Sequence, residues 1–168
     1  LALALAGCDE AGVDGGGGGM SATGQSGTGS ITYDGTTTSA NSLGFVDYGD
    51  YYGNGAYNVD MYIVPVTIDW DTGDGDGRYV YLETFHADSV VATGDLDFSS
   101  ASAPPAGHYS DSSDVSVVVG GNETTDELTG GTISVDVSGG TYTISGTCST
   151  DSGKTVTFSY TGPLTYLE

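Results

Sequence analysis

The chain of 168 residues carries 23 Asp and Glu against 2 Lys and Arg, a formal net charge of -21. So anionic a surface repels nucleic acid and anionic lipid headgroups, which excludes both as charge-driven partners, and a count of two cysteines, Cys8 and Cys148, excludes a disulfide framework. The length suits one buried core plus a tail, and the acidity suits either high salt, where counterions screen the repulsion, or the binding of divalent cations; the spread of Asp along the whole chain favours the first.

Residues 1–6 are apolar and alternate Leu with Ala, like the end of a secretion signal, and are far too short to span a bilayer, which takes about 20 apolar residues. With no Met ahead of Leu1, the sequence is expected to start inside its own signal peptide. Leu5-Ala6-Gly7-Cys8 resembles the lipobox of bacterial lipoproteins, in which the cysteine thiol is acylated and the peptide bond before it is cut. That resemblance implies lipidation at Cys8, with residues 1–7 a signal-peptide remnant. Asp9-Glu10 resembles the sorting signal that sends some Bacteroidota lipoproteins to the outer face of the outer membrane. In other Gram-negative bacteria an Asp after the cysteine signals inner-membrane retention, so both addresses stay open. The Gly/Ser/Thr-rich stretch that follows behaves as a flexible tether, which gives a lipidated tether over residues 8–29 and a single β domain over residues 30–168.

From Ser30 onward short alternating runs separated by turn residues predict antiparallel strands. Ile31 and Tyr33 alternate in the first, before a Thr-rich stretch. Residues 41–55 read as a loop or loose hairpin carrying Phe45, Tyr48, Tyr51 and Tyr52. The longest run, residues 57–68, is apolar on both faces toward its end and predicts a central strand covered on both sides, although Pro65 cannot donate to a ladder and points to a bulge or an edge there. Residues 69–77 form a turn, and residues 78–86 the next strand, with Val80, Leu82 and Thr84 on one face and Tyr79, Tyr81 and Phe85 on the other. Weaker strands are expected at 89–93 and 95–98. Pro104-Pro105 breaks the chain, His108 and Tyr109 restart it, and Val115, Val117 and Val119 alternate. Residues 120–131 read as a polar loop.

Three strands in a meander end the chain: Ile133, Val135 and Val137, then Tyr142, Ile144 and Cys148 after a Gly139-Gly140 turn, then Val156, Phe158 and Tyr160 after a turn at Gly153. Cys148 is expected to be a lone buried thiol acting as a small hydrophobe, with a Cys8–Cys148 bridge as the competing reading. The run 131–144 (GTISVDVSGGTYTI), followed by Asp151-Ser152-Gly153-Lys154 and Tyr160-Thr161-Gly162-Pro163-Leu164, resembles the C-terminal third of small β-rich envelope lipoproteins of Bacteroidota. Pro105-Ala106-Gly107-His108-Tyr109 resembles a strand start in the same proteins. No apolar run has helical length and period. The fold class is therefore all-β, an antiparallel sandwich or up-and-down barrel.

Four carboxylates, Asp69, Asp71, Asp74 and Asp76, lie on a glycine-rich backbone around Trp70, and hard Ca²⁺ takes six to eight oxygens from such loops. This makes calcium the candidate cofactor, although Gly73 stands where an EF-hand would place a third alternating Asp and no Glu follows at the twelfth position. Acidic turns of this kind also serve high-salt proteins without any ion. Asp47, Asp50 and Asp60 form a second, scattered acidic set. Tyr51, Tyr52, Trp70, Tyr79 and Tyr81 are the candidate ligand-binding residues, since exposed aromatic rings on a sheet stack against sugar rings; tyrosines also half-bury in strands for packing alone. His86 and His108, the only histidines, carry no nucleophile elbow or metal-ligand spacing, so no catalytic residue is assigned.

These features imply a non-catalytic lipoprotein at the outer membrane or cell surface, held to the membrane by its lipid anchor. It would bind a surface ligand such as a glycan, or serve as an accessory subunit with an envelope protein partner. The alternative is self-assembly as a structural subunit of an extracellular filament or surface layer, with the N-terminal segment laid as a strand into a neighbouring copy.

Overall fold

The computed structural model describes residues 27–69, 74–88 and 91–166. Among the described residues, twelve strands and no helix make up the domain. They are β1 (Thr28–Tyr33), β2 (Thr36–Ser39), β3 (Ser42–Gly49), β4 (Tyr57–Val64), β5 (Gly77–His86), β6 (Gly94–Ser99), β7 (His108–Ser110), β8 (Asp114–Val119), β9 (Asn122–Ser138), β10 (Thr141–Thr150), β11 (Thr155–Gly162) and β12 (Thr165–Tyr166). Cys8, the tether up to residue 26 and the arm invoked for strand exchange lie outside the described residues.

The expected all-β class holds, with a particular closure. One edge of β5 pairs first with β8, through Gly77 to Tyr81, and then with β7, through Thr84 and Phe85. The 17-residue β9 likewise takes β8 along Asn122 to Glu127 and β6 along Thr132 to Val135. Since β6 pairs with β7, the ring β5-β7-β6-β9-β8 closes on itself. A wing of β4, β3 and β12 extends it from β5, and a second wing of β10, β11, β1 and β2 extends it from β9. All pairings are antiparallel except β6 with β7 and β12 with β3.

The second wing faces β5 and the first wing, β1 against β5 and β11 against β3, so alternate residues of both sides point into one core. Leu43, Phe45, Val59, Met61, Ile63, Val80 and Leu82 meet Ile31, Ile133, Val135, Ile144, Val156, Phe158 and Tyr160 there. Full burial of each such aliphatic or aromatic side chain contributes about 1.5–3 kcal/mol. Gly146 sits opposite Phe158 in the β10–β11 register, where a Cβ would lie 2.4 Å from the Phe158 ring. The missing side chain makes room for the ring. Cys148 is a buried free thiol, and burial pushes its pKa up while the Tyr109 hydroxyl bonded to it opposes this.

The outward side chains of the second wing are hydroxyls. Thr143 faces Thr161, Ser145 faces Ser159 and Thr147 faces Thr157 across β10 and β11, and Thr28, Ser30 and Thr32 continue the rows on β1. Such cross-strand pairs each contribute about 0.2–1 kcal/mol.

Several sequence expectations need correction. The run 57–68 does not continue as a strand: β4 stops at Val64 and Pro65 opens a turn in which its carbonyl accepts the Ile68 N–H at 3.2 Å. The ring nitrogen has no proton for the ladder, so the strand ends where the donor is lost. Up to that point β4 is interior and covered on both faces. Of the loop or loose hairpin expected over 41–55 the second holds, with the eight-residue β3 paired antiparallel to β4, and the polar loop expected over 120–131 is a tight Gly120-Gly121 turn followed by the first half of β9. In the weak strand expected at 89–93, residues 89 and 90 lie outside the described residues and 91–93 are not strand. β1 begins at Thr28, taking in the end of the stretch read as tether.

Candidate ligand-binding face

Because side chains alternate, the residues of β4 and β5 that do not enter the core share an outer face. The register sets Asn58 opposite Phe85, Asp60 opposite Glu83 and Tyr62 opposite Tyr81. On the flank, β3 adds Val46 beside Asp60. The other flank, β8 and β9, adds Asp114, paired with both Tyr81 and Glu127, and Ser116, paired with Tyr79.

The turn from β3 to β4 rises over this face. Gly49, Gly53 and Gly55 take positive φ, a conformation that L side chains resist. Asp47 Oδ1 accepts the Gly49 N–H at 2.8 Å, and Asp50 Oδ1 accepts the Gly55 N–H at 3.1 Å. Two members of the scattered acidic set therefore shape the turn, and the third, Asp60, belongs to the face. So shaped, the turn presents Tyr48, Tyr51 and Tyr52, which are 43%, 64% and 39% exposed. Their rings form a chain of edge contacts, with centroids 6.5 Å apart from Tyr48 to Tyr51 and 5.0 Å from Tyr51 to Tyr52, and 5.8 Å on to Phe85.

Below the rings, Glu83 is the hub. Its Oε1 accepts Asn58 Nδ2 at 2.8 Å and the Tyr52 hydroxyl at 3.3 Å, and its Oε2 accepts the Ser110 hydroxyl. Asp60 is 6% exposed. Burial pushes its carboxyl up to about 7, against the Tyr81 hydroxyl donating to it and aided by Glu83. Asp114 is lifted to about 7 by burial as well, against the Ser116 hydroxyl at 3.1 Å and with Glu123 and Glu127 adding to the rise. Burial and these carboxylates together hold the Tyr62, Tyr79 and Tyr81 hydroxyls protonated.

Tyr51 and Tyr52 therefore stand on the exposed platform. Tyr81 is half-buried within the face, stacked obliquely on Tyr62 at 5.1 Å. Tyr79 is only 8% exposed, packs with Val64, Ile68 and Val118, and donates its hydroxyl to Glu123. Trp70 lies outside the described residues, as does Asp71. In the acidic turn the Asp69 N–H bonds the Asp74 carbonyl at 2.8 Å, and Asp76 Oδ1 accepts the Gly120 N–H at 2.7 Å. Among the described residues no three His, Cys, Asp or Glu side chains stand where they could share a metal ion. Sequence patterning missed Tyr48, Asn58, Tyr62, Glu83 and Ser110 as site residues. The alternation of 58, 60 and 62 against 81, 83 and 85 is the signal that could have found them.

The histidines are placed apart from this face. His86 is buried at the core end of β5, its Nε2 2.9 Å from Thr84 Oγ1. Burial lowers its pKa to about 4, against Asp88 and Asp47. His108 Nδ1 lies 3.1 Å from the Ala106 carbonyl. Compared with protein-family models, curated proteins and solved structures, the chain matches none.

Proposed function

We propose that the chain is a non-catalytic binding domain of the bacterial envelope, anchored through an acylated Cys8 and displaying the β3–β4–β5 outer face to a glycan. One observation carries this: three adjacent exposed tyrosines, Tyr48, Tyr51 and Tyr52, pack ring to ring, and the last of them donates to Glu83, which also holds Asn58 and lies across the ladder from Asp60. A sugar ring has an apolar face that rests on an aromatic ring and a rim of hydroxyls that needs oriented hydrogen-bond partners. Glycine-shaped turn and sheet supply the two together, on a rigid scaffold whose core is elsewhere. The Gly-rich stretch would hold the domain clear of the bilayer.

The test is binding of the full chain to a glycan panel, repeated with Tyr51→Ala and Tyr52→Ala combined. The double variant is expected to lose at least about tenfold in affinity, roughly 1.4 kcal/mol, with its thermal melt little changed because both rings are exposed. Undiminished binding would remove the face from the function.

A further inference from the structure

We propose that the glycan taken up by this face is cationic: an amino-sugar polymer with free ammonium groups, seated between the Asp60 and Glu83 carboxylates and against the tyrosine rings. This rests on the glycan-binding role proposed above and names the chemical class of its ligand.

Charge is the first support. Asp60, Glu83, Asp114, Glu123 and Glu127 lie on one face of four neighbouring strands. The chain's two basic residues do not serve it: Lys154 pairs with Asp34 at 2.9 Å at the β1–β2 turn, and Arg78 alternates to the opposite side of β5 from Tyr79 and Tyr81. High-salt adaptation accounts for acidic residues in contact with solvent. It does not account for Asp60, which is buried, since a carboxylate withdrawn from water is costly unless something compensates it.

Hydrogen-bond inventory is the second. Five donors of the face point inward at its own carboxylates: Tyr52 and Ser110 at Glu83, Tyr81 at Asp60, Tyr79 at Glu123, Ser116 at Asp114. The Tyr48 and Tyr51 hydroxyls stand at the exposed rim; beneath them the face offers carboxylate and amide acceptors. Asn58 supports this independently. Only 3% exposed, it spends Nδ2 on Glu83, which fixes the amide orientation, and its Oδ1 has no donor. Buried acceptors are nearly always paired, so the orphan marks a place for an incoming N–H. An ammonium group is all donor, whereas a neutral hydroxyl also asks for a donor in return. The tyrosine faces attract organic cations through their ring quadrupoles, which favours an ammonium over an inorganic ion.

The experiment is calorimetric titration of the full chain with three tetrasaccharides: β-1,4-linked glucosamine, its N-acetylated counterpart, and β-1,4-linked glucose. The glucosamine oligomer is expected to bind at least about tenfold more tightly than either other. Its affinity should fall as salt rises from ~0.05 to ~0.5 M. Asp60→Asn and Glu83→Gln should each weaken it severalfold while Asp136→Asn, on the exposed side of β9, leaves it unchanged. Folding of each variant is checked by its thermal melt. Equal binding of all three oligomers would overturn the cationic ligand and leave the glycan role standing. Binding of none would overturn the cationic ligand, and the glycan role with it if the glycan panel also shows no binding.

Discussion

Glu83→Ala is expected to destabilise the domain by about 2–5 kcal/mol, since each buried donor left without a partner costs about 1–3 kcal/mol. Glu83 joins three parts of the structure: Asn58 on β4, Tyr52 on the turn above it and Ser110 on β7. Asn58 and Ser110 are both buried, so water cannot readily replace the lost carboxylate. Tyr52 is exposed and contributes little to the loss. Glu83→Gln keeps one acceptor oxygen and should cost less than half as much. Urea unfolding of both variants measures this; an Ala variant as stable as the parent would show that the hub does not hold these strands together.

Asp60→Asn is expected to act in the opposite direction and only above acid pH. The Asp60 pKa is raised from 3.8 in the unfolded chain to about 7 in the fold. With the folded value higher, proton release favours the unfolded chain, so the contribution of Asp60 is fully present below about 4 and is lost as pH rises to about 7. Each pH unit in that window costs about 1.4 kcal/mol, which sets a ceiling of about 4 kcal/mol on the gain from the neutral isostere at pH 8. At pH 4 the variant and the parent should be equally stable.

What the sequence made legible and what it hid divide along a physical line. Alternation marked β4, β5, β8, β10 and β11 because each buries at least one clean apolar face, and Pro65 marked an irregularity, expected as a bulge or an edge, because a missing N–H is a local fact; that the strand ends there was not expected. β3 is hard to tell from a loop or loose hairpin because Gly44, Asp47 and Gly49 are turn formers, yet Leu43 and Phe45 are enough to bury it between β4 and β12. The first half of β9 has almost no apolar residue before Leu128; its strand state comes from pairing with β8, which no local pattern records. The candidate face was hidden in the same way. Tyr51 and Tyr52 could be picked from composition, but Asp60 looked scattered because its neighbour Glu83 is set opposite it by the β4–β5 register, not by sequence spacing.

An amide-detected NMR titration of the full chain with the glucosamine tetramer tests the central claim most directly. Perturbed signals should cluster on the β3–β4 turn around Tyr48, Tyr51 and Tyr52, on Asn58 and Asp60 of β4, and on Tyr81 and Glu83 of β5. Perturbations centred instead on the threonine rows of β10 and β11 would contradict the account.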